Sequence, residues 1–342
     1  MICKKCGCHV AKGERYCGNC GEGVGMSNTA YRVVQEVKKA VTGKDDCICK
    51  AFAAILAGGH ILIEDVPGVG KTTLVMAFSK ALSLETRRMQ FTPDVMPADI
   101  LGFNMYQKAT GQFEYYPGAI MCNLFLADEI NRTSPKTQSA LLEVMEEGMV
   151  TVDGVSRKVP EPFVVMATQN PKGSAGTQLL PESQLDRFMI CMSMGYPELS
   201  DEVAILKGKS GSDREEVRPV LSREQLLQVK EQVDAVQVSD MLYTYVATLS
   251  AKTREHAYID LGLSPRGSIA TIRMAKAWAY LQGRDYVLPE DVVSIFLDVA
   301  KHRIVLNTKA RVAHVTAAGV LEEVLAQTKQ PASYMKRDEY RG

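Results

Sequence analysis

A glycine-rich turn between an apolar run and a helical pattern is the feature that most constrains this chain. Residues 61–73 read ILIEDVPGVGKTT, and the apolar run Ile61–Ile63 predicts a buried strand. Gly68 and Gly70 leave room for backbone N–H groups to approach a phosphate, and the N-terminus of the following helix adds positive charge. A glycine-rich connection that arose by chance is the alternative. Because strand, turn, Lys-Thr pair and helix agree, the segment predicts an α/β fold with a phosphate site after the strand.

The residues of this turn predict how a nucleoside triphosphate binds. Lys71 would reach the β- and γ-phosphates, and the Thr72 hydroxyl would be a ligand of Mg²⁺. The chain departs from the usual phosphate-loop pattern at Asp65, because a glycine commonly stands six residues before the lysine. The candidate cofactor-binding residues of the turn are Pro67, Gly68, Val69, Gly70, Lys71, Thr72 and Thr73.

Two adjacent acids follow a second apolar run. Leu124–Ala127 leads into Asp128 and Glu129, 57 positions after Lys71. Asp128 would hold Mg²⁺ directly or through water, and Glu129 would position and polarise the attacking water. Two acids alone often mark only an exposed strand end. Together with the phosphate turn they predict hydrolysis of a phosphate bond rather than transfer to a small acceptor.

A third apolar run, Phe163–Ala167, leads to Asn170. The Asn170 amide could lie beside the γ-phosphate and hold the attacking water. It could equally be a turn-forming residue before Pro171. The residues by themselves favour neither interpretation.

The order of apolar runs and helical patterns divides the chain into three blocks. Between residues 26 and 197, short apolar runs alternate with helical stretches such as Thr72–Leu82 and Pro135–Glu147. This pattern is typical of a parallel sheet between helices. From 198 to 342 helical patterns dominate and predict a helical lid, which ends in a polar, frayed tail from about 328.

Three helix starts are predicted in the last block. Ser222, followed three residues later by Gln225, has the pattern of a capping box. Ser264 and Pro265 form a cap and a first-turn proline, and Thr316 precedes a last amphipathic segment.

Five of the nine cysteines lie in the first 20 residues, which predicts a small metal-binding block at 1–25. Two C-x₂-C pairs have the spacing of a four-thiolate Zn²⁺ site, and so short a block needs the metal to fold. A pair of redox dithiols is the alternative, and Cys8 or His9 could replace a ligand. The predicted zinc ligands are Cys3, Cys6, Cys17 and Cys20.

Charge and hydropathy exclude several classes of protein. The chain has 40 Lys and Arg against 40 Asp and Glu, so its net charge does not favour coating of nucleic acid or anionic membrane. Its longest apolar stretch, Ala51–Ile63, is too short for a membrane helix. The start MICKKCGCHV lacks the apolar segment of a secretory signal. The sequence therefore predicts a cytoplasmic protein without a membrane span.

Five segments follow one another in a distinctive order: EDVPGVGKTT, LADEINRTSPKTQSALLEVMEE, ATQNP, LPESQLDRF and LSPRGSIATIRMAKAWA. Together they resemble the AAA+ superfamily and, more narrowly, the MoxR-type ATPases. The resemblance covers about residues 30–325 and implies an AAA+ α/β core followed by a helical lid. Members of this family often carry an acid at the position of Asp65. Residues 91–118 match the helix-2 insert of the MoxR and chelatase clade.

The resemblance also implies roles for single residues. Arg187 would be an arginine finger that reaches the nucleotide of a neighbouring subunit, and Arg266 the sensor-2 arginine beside the nucleotide cleft. Val41 and Gly43 belong to the segment that would line the adenine pocket. From the residues alone, Arg187 could be a helix C-terminal charge and Arg266 a solvated surface arginine, while Arg132 could also face a neighbour. The remaining matches are Walker A Lys71 and Thr72, Walker B Asp128 and Glu129, and sensor-1 Asn170.

The function that the resemblance implies is ATP hydrolysis with Mg²⁺ in an ATP-favoured ring, a hexamer in this family. Such a ring would remodel, activate or assemble client proteins, which in this family often carry von Willebrand A-type domains. A nucleic-acid motor that uses the zinc ribbon is an alternative, for which the predicted hairpin at 149–159 offers only Arg157 and Lys158 as basic groups. The ATPase subunit of a metal chelatase is another.

Overall fold

The computed structural model describes residues 28–66, 68–170, 180–208 and 216–331. The helices are α1 (Asn28–Ala40), α2 (Asp45–Leu56), α3 (Lys71–Ala81), α4 (Pro97–Leu101), α5 (Pro135–Glu147), α6 (Glu182–Leu185), α7 (Leu199–Gly208), α8 (Arg223–Asp234), α9 (Asp240–Glu255), α10 (Pro265–Leu281), α11 (Pro289–Ala300), α12 (Thr308–Val312) and α13 (Ala317–Gln327). The strands are β1 (Ile61–Glu64), β2 (Thr86–Gln90), β3 (Gly102–Gln107), β4 (Gln112–Pro117), β5 (Leu124–Asp128), β6 (Met149–Val152), β7 (Val155–Lys158), β8 (Val164–Gln169), β9 (Ile190–Met192), β10 (Ile259–Leu261) and β11 (Val305–Leu306). Within these ranges, no helix combines the length and the apolar character that crossing a bilayer requires.

A five-stranded parallel sheet has the order β2-β5-β8-β1-β9. Ile61 on β1 pairs with Met166 on β8, and Leu124 on β5 pairs with Val164 on the other side of β8. The carboxyl ends of β1, β8 and β5 are therefore neighbours. In open parallel sheets ligands bind at this edge, and all three predicted site segments follow these strands.

The alternation of side chains along the strands separates two core layers. Ile61 and Ile63 pack in one cluster with α1, α2 and α3, whereas Leu62 packs in the cluster that contains α5. Strands buried on both faces give continuous apolar runs rather than alternating ones, as the sequence shows for β1 and β5. The predicted parallel sheet between helices is confirmed.

The helical lid packs on α2 of the sheet domain through α8 and α10, and α11 contacts β9. Leu226 on α8 and Trp278 on α10 belong to the same buried cluster as the residues of α2. The other face of α10 packs with α9, α11 and α13, where Phe296 is fully buried.

The lid also contains a short antiparallel pair, β10 and β11, which the sequence does not predict because each strand has three residues or fewer. The boundary at residue 197 stays a prediction.

The three predicted helix starts are confirmed. The side chains of Ser222, Ser264 and Thr316 each accept a hydrogen bond from the backbone N–H three residues on, at 3.2, 3.1 and 3.1 Å. Each cap satisfies an N–H group of the first turn that has no partner within its own helix. The cap at Ser264 also fixes the start of α10, where Arg266 lies.

Candidate active site

A cavity of about 350 Å³ lies at the carboxyl edge of the sheet, between the turn after β1 and the ends of β2, β5 and β8. Arg88 and Gln90 on β2 form a wall that the sequence analysis did not predict. The cavity brings together eight of the residues that the sequence predicts for the nucleotide site. Those that line it are Gly68, Gly70, Lys71, Thr72, Thr73, Asp128, Glu129 and Asn170.

The phosphate turn has the open backbone that an anion needs. Gly68 and Gly70 have φ angles of 88° and 95°, in the left-handed region that favours glycine. A Cβ built on Gly68 meets no heavy atom within 4 Å, so this side of the turn is open. Gly70 caps α3, and Lys71 Nζ donates to the Asp65 carbonyl oxygen at 2.9 Å. The first N–H groups of α3 and the Lys71 ammonium thus form a concave positive surface.

Asp65 links the phosphate turn to the chain that follows β9. Its side chain is buried and accepts hydrogen bonds from Ser193 Oγ at 3.0 Å, from Gly195 N at 3.2 Å and from the backbone N–H of Met194. A glycine at this position would leave these donors without the carboxylate. The departure from the usual pattern therefore has a structural role, because it fastens residues 193–195 to the turn.

Thr168, on the neighbouring strand β8, holds the two acids. Its buried hydroxyl donates to Asp128 Oδ1 at 2.6 Å and accepts from the backbone N–H of Glu129 at 2.9 Å. Glu129 has a φ of 56°, which is uncommon for a residue other than glycine. Backbone strain of this kind persists where surrounding contacts hold it and is concentrated at functional sites.

Three polar side chains contact the same acids. Arg88 donates to Asp128 Oδ2 at 2.8 Å, and Gln90 Nε2 donates to Glu129 Oε2 at 2.8 Å. Arg132, which the sequence suggested could face a neighbour, donates to that Glu129 oxygen within its own chain at 2.7 Å. The sequence carries no clear signal for Arg88 and Gln90, because β2 is too polar to resemble a buried strand. Their role follows from the pairing of β2 with β5, which places them beside the two acids.

Arg187 and Arg266 are not among the residues that line the phosphate cavity. They meet at Glu146 on α5, where Arg187 NH1 lies 2.8 Å from Glu146 Oε2 and Arg266 NH1 lies 3.2 Å from Oε1. The structure thus places both arginines at α5 rather than at the phosphate turn. The sensor-2 role of Arg266 beside a nucleotide stays a prediction.

The predicted adenine segment lies beside the chain that follows β9. Gly43 abuts Asp201, with which a Cβ at that position would overlap, and Lys44 Nζ donates to the Tyr196 carbonyl at 2.8 Å. Val41 is buried in the core. Neither Val41 nor Gly43 lines the phosphate cavity, but the segment contacts the same stretch that the phosphate turn binds.

The predicted zinc ligands, with Cys8, His9 and also Pro67, lie outside the described residues. Across the ranges that the structure does describe, no group of three or more His, Cys, Asp and Glu side chains could hold a metal ion. A magnesium site at Thr72 and Asp128 needs no such group, because Mg²⁺ takes most of its oxygen ligands from phosphates and water.

Comparison with known proteins agrees with this geometry. Residues 60–190 match the model of the ATPase family associated with various cellular activities, and residues 251–324 match that of the AAA lid domain. The chain is 44% identical over 301 residues to the uncharacterized protein YeaC of Bacillus subtilis (88% of this chain and 94% of that one). It is 37% identical over 313 residues to the chaperone MoxR1 of Mycobacterium tuberculosis (89% and 83%). A protein from Cytophaga hutchinsonii that was crystallised as a candidate ATPase has a TM-score of 0.83 at 37% identity (89% and 95%).

Proposed function

The chain belongs to the MoxR-type AAA+ ATPases, and on this premise we propose that it hydrolyses ATP with Mg²⁺ in a cytoplasmic ring of its own copies. The work of the ring is to remodel, activate or assemble client proteins. One observation carries the proposal. The turn after β1, the two acids at the end of β5 and the amide after β8 line a single cavity at one edge of the sheet.

Each residue of the cavity has one task in the proposed reaction. The backbone of the phosphate turn and Lys71 hold the β- and γ-phosphates. Thr72 and Asp128 would hold Mg²⁺, which would supply positive charge against the transferred phosphoryl group when bound. Glu129 accepts a proton from a water whose oxygen bonds to the γ-phosphorus, while the bond between that phosphorus and the ADP oxygen breaks. Asn170 orients this water.

The residues present fit this assignment. The left-handed glycines leave the turn open to phosphate oxygens, and the oxygen donors of Thr72 and Asp128 are of the type that Mg²⁺ prefers. We place the adenine between Val41–Gly43 and the stretch after β9. Support for this placement comes from the contacts of both the phosphate turn and the adenine segment with that stretch.

Replacing Thr168 with valine is expected to lower kcat for ATP hydrolysis by about tenfold to a hundredfold. Valine fills the same space but leaves Asp128 and the Glu129 backbone without their shared hydroxyl, and small displacements of reacting groups have effects of this size. Steady-state phosphate release measures the change. Thr248, exposed on α9, supplies the matched control T248V, which should keep normal turnover. Equal activity of the two variants would contradict the role of Thr168.

We propose that Arg187 and Arg266 act on the nucleotide of a neighbouring copy, which makes the ring necessary for activity. Both side chains are partly exposed and neither lines its own phosphate cavity. The ATPase rate per subunit should therefore fall on dilution, because the ring, a hexamer in this proposal, dissociates. Enzyme titration with sedimentation of the same samples tests this. A flat rate down to low nanomolar protein, carried by a monomer, would contradict it.

We also propose that residues 1–25 form a zinc ribbon that acts as an interaction module. The support is the spacing of Cys3, Cys6, Cys17 and Cys20. Elemental analysis of the purified chain should find about one zinc per chain. A strong chelator should remove it, and ATP hydrolysis at fixed protein concentration should be retained once the chelator is dialysed away and Mg²⁺ alone is restored. A chain without zinc after purification in metal-replete medium would contradict the ribbon.

The client proteins are proposed to carry von Willebrand A-type domains, and recovery of such a protein with ATP-bound rings would test this.

Against the nucleic-acid alternative, both basic residues of the β6–β7 hairpin have partners within the chain. The Arg157 guanidinium lies 3.9 Å from the centre of the Tyr115 ring, and Lys158 Nζ lies 2.7 Å from Glu161 Oε1. ATP hydrolysis should therefore be insensitive to added DNA.

A further inference from the structure

One carboxylate joins an arginine of the sheet domain to an arginine of the lid. Glu146 presents one oxygen to each guanidinium, at 2.8 Å to Arg187 and 3.2 Å to Arg266. Arg187 NH1 has a second acceptor in the Leu142 carbonyl at 2.5 Å. For Arg266, Glu146 is the one acidic side chain within ion-pair distance in the described part of the chain. The position of Arg266 thus depends on Glu146 more than that of Arg187 does.

The residues that precede the two arginines are also joined. Asp186 Oδ2 accepts from Ser264 Oγ at 3.1 Å, and Asp186 Oδ1 accepts from Arg303 Nε at 2.7 Å. Arg303 is almost fully buried. The start of α10 is therefore held against the end of α6, which brings Arg187 and Arg266 to the same place. Glu146 is the group that both guanidinium groups contact, so it orients them relative to each other.

The charges of this cluster suit a polyanion. Two guanidinium groups this close repel each other, and the single Glu146 carboxylate holds them side by side with a net positive charge. Each guanidinium has five N–H donors, so several donors stay available on Arg266 beside its bond to Glu146 and on Arg187 beside its contacts with Glu146 and the Leu142 carbonyl. Side-chain exposures of 28% for Arg187 and 44% for Arg266 leave these donors accessible to a second molecule.

We propose that Glu146 is a positioning residue, which holds Arg187 and Arg266 in the one arrangement that meets the triphosphate bound by a neighbouring copy. The inference rests on the proposed function, in which both arginines act between copies. Glu146 itself does not line the phosphate cavity of its own chain, and it acts on the neighbour's triphosphate only through the two arginines. It also links the two parts of the chain, since the Arg266–Glu146 pair joins α10 of the lid to α5.

A role in folding is a separate matter. Ion pairs as exposed as these contribute little to folding stability, so the Glu146→Gln variant should unfold at the same temperature as the parent chain. Its catalytic effect should be larger, because displacement of a charge-stabilising group by about 1 Å can lower a rate by up to about a hundredfold. The two readouts therefore separate positioning from structure.

The experiment compares E146Q with E147Q in the full chain, at protein concentrations where the ring is assembled. Glu147 is the next residue of α5 and is exposed, so E147Q is a matched control. We expect kcat of E146Q to fall by about tenfold, with binding of a non-hydrolysable ATP analogue unchanged. E147Q should behave as the parent chain. E146D, which keeps the charge, should recover part of the activity.

A double-mutant cycle supplies the readout that a structural role would not move. In an R187A/R266A background, E146Q should lower the residual kcat by no more than about twofold, because both guanidinium groups that Glu146 places are absent. An equal tenfold loss in both backgrounds would overturn the inference. So would turnover of E146Q equal to that of E147Q while R187A and R266A are strongly impaired, and the proposed function would then stand. Full turnover of R187A and R266A would instead refute the shared site itself.

Discussion

The Glu129→Gln variant is expected to bind ATP normally and to hydrolyse it about 10²–10⁴-fold more slowly, the usual range for loss of a general base. Glutamine has the same size and can still accept hydrogen bonds from Gln90 and Arg132, so the cavity should keep its shape. It cannot take a proton from the attacking water. Lys71 and Asp128 are unchanged, so the affinity for ATP and Mg²⁺ should be retained. Phosphate release and equilibrium nucleotide binding measure the two quantities separately.

Glu143→Gln is the matched control for this variant. Glu143 is exposed on α5, and its replacement removes the same charge from the chain without touching the cavity. E143Q should therefore keep the parent turnover. Normal hydrolysis by E129Q would remove Glu129 from the role of base, and another group of the cavity would have to orient the water.

The Arg187→Ala variant is expected to lower kcat by about 10³–10⁵-fold, the range found for arginines that stabilise phosphoryl transfer from a neighbouring chain. The phosphate cavity of the variant is intact, because Arg187 does not line it. Binding of ATP to each copy should thus be normal, whereas the charge that develops on the transferred group loses a partner. The measurement is kcat at protein concentrations where sedimentation shows an assembled ring.

Arg311→Ala is the matched control, which tests whether removal of any surface arginine lowers kcat as R187A is expected to do. Arg311 is exposed on α12, and its removal should change neither kcat nor the unfolding temperature beyond the small range of surface substitutions. If assembled R187A kept full turnover, Arg187 would be no more than a surface charge at the end of α6, the alternative that its sequence position allows.

The sequence predicts those parts of the site in which an apolar run is followed directly by residues suited to bind phosphate or Mg²⁺. β1, β5 and β8 are buried on both faces, so each is a continuous apolar run that ends directly before its polar residues. Gly68 and Gly70 are needed because the turn requires left-handed backbone. A parallel sheet then brings the strand ends together without further information from the sequence.

The residues that sequence patterns miss act across the fold. Thr168 resembles any other residue of a buried strand, and its two hydrogen bonds reach residues 40 and 39 positions away. Arg88 and Gln90 lie on an edge strand, TRRMQ, whose polar residues do not resemble a core strand. Arg266 and Glu146 are 120 positions apart, and their contact joins the lid to α5.

Asp65 shows the opposite case, in which the sequence marks a position without explaining it. The departure from glycine is visible in the phosphate-loop pattern, but its partners at 193–195 follow a strand that is 3 residues long. Only the packing of β9 beside β1 brings them within reach of the carboxylate.

The central claim is that each ATP site is completed by a second copy, and mixing two inactive variants tests it most directly. E129Q keeps Arg187 and lacks the base, whereas R187A keeps the base and lacks the arginine. When the two chains are co-expressed, about a quarter of the interfaces in a randomly mixed ring unite an intact Glu129 with a neighbour's intact Arg187. We predict that the mixed ring recovers a substantial fraction of parent activity, although each variant alone is nearly inactive. A mixture no more active than the sum of its two components would contradict the shared site.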